Sequence, residues 1–285
     1  MTIQSLLVET KQTLSSKSST PTLDAELLLS FVLNQKREYL ITHHDEYIEE
    51  HELKHFKELI KKRIKGTPLA YLTEEKEFFG RTFFVDERVL IPRPETEEML
   101  EDAIHYISSH PEVSTLIDLG TGSGCLAISL ALQFPKHQVV GLEISSSALE
   151  VAKKNADRHA ATNLRLIQSD LLKDYPSTLK ESSSPVCILA NLPYIGTTTN
   201  NYLSDETKEH EPDLALFGGK DGLELYRKTW QQIKKTPLKL SALYMEIGFS
   251  QAEQMEKEAT KAFPQLKYEL KNDLAGLPRT AVLSS

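Results

Sequence analysis

The run Ala190-Asn191-Leu192-Pro193-Tyr194 gathers groups suited to a planar NH2. The Asn191 carboxamide offers an oxygen that accepts from a substrate N–H. Pro193 disfavours the helical region at Leu192 and holds it extended, which can aim the Leu192 carbonyl at a second substrate N–H. Tyr194 can stack on a flat group. Two acceptors and a ring describe a seat for a nitrogen whose lone pair is delocalised and which is therefore a weak nucleophile. Acceptors on its hydrogens push electron density towards it and fix its direction. The chemistry this suits is an in-line displacement, accelerated mainly by positioning, an effect worth up to ~7–11 kcal/mol in favourable cases. The motif holds no histidine or carboxylate base. None is needed, because an alkylated, protonated amide nitrogen is acidic enough to lose its proton to water. Asn191, Leu192, Pro193 and Tyr194 are thus the candidate catalytic and substrate-binding residues.

The electrophile has its own candidate site. In Leu116-Ile117-Asp118-Leu119-Gly120-Thr121-Gly122-Ser123-Gly124 an apolar strand runs into three alternate glycines and then a helix. Such a loop lets a ligand approach the backbone closely, beside the unpaired N–H groups of a helix N-terminus. Dinucleotide sites use G-x-G-x-x-G, whereas this loop is G-x-G-x-G. The early third glycine favours S-adenosylmethionine, which has no phosphate, over NAD. Glu143 ends the next strand at roughly the 20-residue spacing of a ribose-binding acid. Asp170-Leu171 ends the third strand, where adenine contacts fit. Asp118, Gly120, Thr121, Gly122, Ser123, Gly124, Glu143, Asp170, Leu171 and Asn191 are the candidate cofactor residues. A tight turn without a ligand is the plainer reading of the glycines, but the strand before them and the helix after argue against it.

Another motif is set aside. His51-Glu52-Leu53-Lys54-His55 matches H-E-x-x-H, a helical zinc pattern. At about 100° per residue, both histidines fall opposite the stripe of Leu53, Phe56, Ile60 and Ile64 and point to solvent. A catalytic zinc also needs a third ligand and a shielded cavity.

These residues need a framework to position them. From residue 114 onward, candidate strands at 114–119, 137–143, 164–168, 186–190 and 240–247 alternate with helices at 124–134 and 145–159. That alternation implies βαβ units and a parallel sheet covered on both faces. Strands near 266–271 and 279–284 could close the sheet as a hairpin. The segment 195–239 is long for a connection and reads as a substrate-covering element. Residues 1–70 read as helices, with Thr20 and Pro21 as N-cap and first position of one of them. Lys61, Lys62, Arg63 and Lys65 read as a solvated helix end that complements the helix dipole. Residues 76–85 read as two short strands around a turn.

Composition fits this plan. The chain has 285 residues, 40% hydrophobic and 26% charged, ordinary for a globular protein. A net charge of -8 argues against a phosphate-binding surface. Two distant cysteines, Cys125 and Cys187, suggest a reduced, cytoplasmic setting. No apolar run approaches the roughly 18 residues of a membrane span, and the N-terminus lacks the pattern of a signal peptide.

Taken together, these motifs resemble the HemK/PrmC family, the protein-(glutamine-N5) methyltransferases of peptide-chain release factors. The resemblance spans nearly the whole chain. It includes Asp24-Ala25-Glu26, Gly66-Thr67-Pro68-Leu69-Ala70-Tyr71 and the more specific Leu90-Ile91-Pro92-Arg93-Pro94-Glu95-Thr96-Glu97. Glu211-Pro212, Gly218-Gly219, Asp221-Gly222-Leu223, Glu246-Ile247-Gly248, Gln251, Asp273-Leu274-Ala275-Gly276 and Arg279 continue it. It implies a class I, Rossmann-like α/β methyltransferase with a seven-stranded mixed sheet and a small all-α N-terminal domain. The expected division is 1–75 as a helical substrate-docking domain, 76–92 as a β-hairpin linker and 93–285 as the methyltransferase domain. The implied reaction carries a methyl group from S-adenosyl-L-methionine to the glutamine amide of a release factor's Gly-Gly-Gln motif, leaving S-adenosyl-L-homocysteine. By the resemblance, Gly120, Gly122 and Gly124 carry the methionine part, Glu143 the ribose, and Asn191 through Tyr194 the glutamine amide. Three residues depart from the family pattern: Leu192 stands for a common Pro, Glu143 for a more frequent Asp, and Leu171 for a frequent aromatic. None removes a chemical group that the mechanism needs.

The expectation is therefore a cytoplasmic monomer with release factors as protein substrates, and with no metal, no direct nucleic-acid partner and no membrane partner. Two alternatives remain open. An N-methyltransferase for an exocyclic amino group of a nucleic-acid base would use Asn-x-Pro-Tyr equally well. The other is a cofactor-bound scaffold without catalysis, against which the intact Asn191–Tyr194 motif speaks.

Overall fold

A computed structural model describes residues 1–175, 184–198 and 204–285. The chain divides into two units, Met1–Glu75 with Leu203–His210, and Lys76–Tyr202 with Glu211–Ser285. No helix among the described residues is long and apolar enough to cross a membrane.

The first unit is helical: α1 (Ile3–Leu14), α2 (Pro21–Leu33), α3 (Arg37–Thr42), α4 (Glu50–Ile64) and α5 (Leu69–Thr73). Its core is built on Leu6, Leu28, Leu29, Phe56, Ile60 and Leu72. Pro21 opens α2 after Thr20, as its fixed φ favours. The Thr20 hydroxyl, however, donates to Asp24 Oδ1 at 2.9 Å rather than capping the helix. On α4 the buried face is Phe56, Leu59, Ile60 and Arg63, while Leu53 and Ile64 are half-buried. His51 and His55 are exposed on the same helix.

Arg63 corrects the reading of residues 61–65 as a wholly solvated helix end. Its side chain is 10% exposed, and it donates to Asp24 Oδ2 at 2.7 Å and to Glu206 Oε2 at 2.6 Å. A buried guanidinium persists only where carboxylates pair it. Glu206 comes from the helix Asp205–His210, so part of the long 195–239 segment belongs to the helical unit. Residues 199–203 of that segment lie outside the described residues.

The second unit opens with a hairpin, β1 (Glu75–Phe78) and β2 (Arg81–Phe84), whose Phe78 and Phe83 are fully buried in its core. After α6 (Pro94–Ser109) come β3 (Thr115–Leu119), α7 (Cys125–Gln133), β4 (Gln138–Glu143), α8 (Ser146–Arg158), β5 (Leu164–Gln168), β6 (Pro185–Ala190), β7 (Lys239–Glu246), β8 (Lys267–Asn272) and β9 (Pro278–Ser284). The seven strands take the order β5-β4-β3-β6-β7-β9-β8. All pairings are parallel except those of β9 with β7 and β8. The central strands are apolar on both faces because both are covered. Ile117 and Leu119 of β3 enter one core cluster and Leu116 the other. The strands read from the sequence are all present, each within a residue or two of its expected ends.

Candidate active site

Strand register brings the predicted chemistry to one level. Leu119 pairs with Leu142 on one side and Ala190 on the other. The next residues are Gly120, Glu143 and Asn191, which therefore leave the sheet side by side at its carboxyl edge. Strand order reverses between β3 and β6, the switch point where an open α/β sheet forms its crevice. A cavity of about 380 Å³ lies there, and Asp118, Gly120, Thr121, Gly122, Ser123, Glu143, Asp170, Leu171, Asn191, Leu192 and Pro193 line it. Of the predicted residues, only Gly124 and Tyr194 stand outside its wall. Gly124 caps α7 at φ 83°, where a Cβ would sit 2.9 Å from Ile128 Cδ1.

The donor half is held from below. Asn155, fully buried on α8, donates to the carbonyls of Ser123 and Phe84 at 2.9 Å each and accepts from Phe84 N–H at 2.7 Å. A buried amide with these bonds satisfied ties the glycine loop to the hairpin at little net cost. Glu143 accepts from Gly122 N–H and from Ser145 N–H, both at 3.0 Å. It is thus a brace for the loop as well as a ribose candidate, since each carboxylate oxygen keeps a further lone pair.

Asp118 provides the test of cofactor fit. Its Oδ2 accepts from Thr121 Oγ1 at 2.6 Å and Ala127 N–H at 3.1 Å. Its Oδ1 is buried and has no partner among the described residues. Burial pushes this carboxyl up to about 7, against the pull of its two hydrogen bonds. An orphaned carboxylate oxygen in a largely apolar wall calls for a cationic donor, and the ammonium of S-adenosylmethionine is one. The adenine candidates are arranged differently. Lys228 Nζ pairs the Asp170 carboxylate at 2.5 Å and 2.7 Å, and Leu171 sits on the wall at φ 57°, held by Ser169 Oγ donating to its carbonyl at 2.7 Å.

The acceptor half is built on contacts far apart in sequence. Asn191 Nδ2 donates to Thr96 Oγ1 at 2.9 Å, and Thr96 Oγ1 donates to Glu246 Oε2 at 2.6 Å. Tyr194 turns inward, and its hydroxyl donates to Glu246 Oε1 at 3.2 Å. Burial holds Glu246 above the usual carboxylate range, while Thr96, Arg279 and Tyr194 pull it back. Among the described residues no hydrogen bond ends on the Leu192 carbonyl, which leaves it free to accept. Gln251 Nε2 donates to the Tyr194 carbonyl at 2.8 Å and the Asp221 carbonyl at 3.0 Å. Gly218 and Gly222 admit this close packing: a Cβ on them would meet the Pro193 and Tyr194 carbonyl oxygens at 2.1 Å and 2.0 Å. Glu211, 5% exposed, anchors the 91–93 turn by accepting from Ile91 N–H at 3.1 Å and pairing Arg93. Thr96, Glu211, Gly218, Gly222, Glu246 and Gln251 stand in the family-like runs of the sequence, but no local pattern assigned them these roles.

The PrmC N-terminal domain matches residues 5–73 and a methyltransferase domain matches residues 112–215. The release factor glutamine methyltransferase of Bacillus cereus is 36% identical over 89% of this chain and 89% of its own length. That of Koribacter versatilis is 35% identical over 94% of this chain and 92% of its own length. Among solved structures, the N-terminal domain of human METTL16 in complex with SAH shares the fold at a TM-score of 0.51 and 16% identity, covering 90% of this chain and 93% of that one. With identity of this order over nearly its whole length, the chain belongs to the release factor glutamine methyltransferase family.

Proposed function

We propose that the chain transfers a methyl group from S-adenosylmethionine to the side-chain N5 of the glutamine in the Gly-Gly-Gln motif of peptide-chain release factors. The observation that carries this is the shared cavity edge, where Asn191, Leu192 and Pro193 face the same space as Asp118, Gly120 and Glu143. The names of the relatives point to the same substrate.

When bound, S-adenosylmethionine supplies an electrophilic sulfonium methyl. The residues present fit it: Asp118 Oδ1 for the ammonium, Glu143 for the ribose hydroxyls, and Leu171 for the base. Asn191 Oδ1 and the Leu192 carbonyl accept from the two hydrogens of the glutamine NH2. Together they orient the nitrogen lone pair along the line of attack. The largely apolar cavity wall lowers the local dielectric, which strengthens both acceptors. The substituted nitrogen then loses its proton to water. For Tyr194, whose hydroxyl is taken by Glu246 and which stands outside the cavity wall, the role is to fix the turn.

The test is mass spectrometry of the Gly-Gly-Gln peptide after incubating a release factor with the protein and S-adenosylmethionine. A gain of one methyl group on that glutamine is expected. Transfer to a nucleic acid but not to the release factor would replace this reading with the base-methylating one.

A further inference from the structure

A carboxamide has two orientations of nearly the same shape, and only one of them gives Asn191 an acceptor for substrate. Something must choose between them. Among the described residues, Thr96 on α6 is placed to do so, 2% exposed and 2.9 Å from Asn191 Nδ2. A threonine hydroxyl could serve either orientation, because it has one proton to give and lone pairs to receive. Its other neighbour decides. Glu246, 1% exposed at the end of β7, lies with Oε2 at 2.6 Å from Thr96 Oγ1. Both Glu246 oxygens accept, Oε2 from Thr96 and Oε1 from Tyr194, so the single Thr96 proton is committed to Glu246. Thr96 Oγ1 then faces Asn191 only as an acceptor. Asn191 must present its NH2 to Thr96, which leaves Oδ1 for the cavity.

We propose that Glu246 is a positioning residue that acts through Thr96 to lock Asn191 with its oxygen towards the substrate. The same carboxylate holds Tyr194 through Oε1, so one buried group orients both ends of the 191–194 turn. The Tyr226 hydroxyl donates to the Glu246 carbonyl and fixes the strand end from the other side. This inference rests on the reading of Asn191 as acceptor for the glutamine amide.

The experiment compares Thr96→Val, Thr96→Ser and Glu246→Gln in the full chain. It records single-turnover methylation of a release factor, the dissociation constant for S-adenosylmethionine, and the thermal midpoint. Thr96→Val keeps the shape and removes the hydroxyl. It should slow transfer about tenfold or more, the scale of one lost orienting hydrogen bond, with donor affinity within about twofold. Thr96→Ser should recover most of that rate, because it restores the hydroxyl. Glu246→Gln is nearly isosteric but can donate to Thr96, which frees the threonine proton for Asn191 Oδ1 and favours the wrong orientation. It should also slow transfer without weakening donor binding. Thr96→Val or Glu246→Gln at the wild-type rate would overturn the inference, as would Thr96→Ser falling as far as Thr96→Val. Those results leave release factor methylation by the wild type intact, whereas its absence in the wild type would sink the substrate reading and this inference with it.

Discussion

At the scale of single residues, the site divides into groups that hold the donor and groups that aim the acceptor, and substitutions should separate them. Asn191→Ala removes an acceptor for the substrate and leaves Asp118, Glu143 and the glycine loop in place. Single-turnover transfer should fall by about two orders of magnitude, with donor affinity changed by only a few-fold. Equal losses in both would remove Asn191 from its role. Asp118 makes a second, independent prediction. In the free protein burial pushes its carboxyl up to about 7, and Oδ1 has no partner among the described residues. Pairing with a cationic ligand favours the ionised form, so donor binding near pH 7 should release protons. The calorimetric enthalpy of binding should therefore differ between buffers of high and low ionisation enthalpy at that pH. The difference should vanish well above pH 7, where Asp118 is already ionised. The sign for stability is opposite to that of an ordinary salt-bridged Asp. The folded value lies above the unfolded one, so this group costs the free protein stability as pH rises through the interval, and the cost is complete above about 7. Buffer-independent enthalpies at neutral pH would show that Asp118 does not meet the ligand's charge.

At the scale of elements, what the sequence made legible is what is local. The central strands β3, β4, β6 and β7 are largely apolar runs, and the loop 120–124 is marked by glycine spacing beside them. Glu143 and Asn191 follow from their place at strand ends, since parallel register delivers neighbouring strands to one edge. The Asn191–Thr96–Glu246 chain was not legible, because its links span 95 and 150 residues and a threonine or glutamate carries no mark of its distant partner. Arg63 was misread for a related reason: a run of basic residues reads as solvated, although position 63 shares the buried face of Phe56, Leu59 and Ile60, and the carboxylates that pair it there, Asp24 and Glu206, lie on other helices. Gly218 and Gly222 were visible as residues but not as spacers. Their purpose appears only where two loops pass within contact. Gly222→Ala should show this. A Cβ there meets the Tyr194 carbonyl oxygen at 2.0 Å at a φ of 82°, whereas at Gly80, φ 69°, it meets nothing within 4 Å. Left-handed strain alone costs roughly 1–2 kcal/mol at either site. The backbone clash adds about 1–3 kcal/mol at Gly222 only. Urea unfolding should therefore find Gly222→Ala the less stable of the two. Transfer should suffer more than donor binding, because the displaced turn carries the acceptors. Matching stabilities would mean that the 218–222 loop moves aside freely.

At the scale of the whole molecule, each unit has its own apolar core, and the residues lining the donor cavity all belong to the second. The helical unit carries none of that lining, which leaves the docking of a large protein substrate as its proposed task. The chain returns to it after β6, contributing Asp205–His210, and Arg63 fastens this return by bridging Asp24 and Glu206. The two halves of that bridge are unequal. Asp24 is 3% exposed at its side chain, so its pairing is shielded, whereas Glu206 is 41% exposed and its pairing is weakened by solvent. Arg63→Ala leaves the Asp24 carboxylate buried without its cation, a defect that costs about 3–5 kcal/mol in comparable sites. The loss should stay within the helical unit. Hydrogen exchange should quicken across α2, α4 and 205–210, with β3 and β4 unchanged, and donor affinity should hold. Methylation of an intact release factor should weaken through its apparent KM rather than through the single-turnover rate at saturation. A variant whose β3 and β4 amides lose protection equally would show that the units unfold as one, and the docking role could not then be read from this substitution.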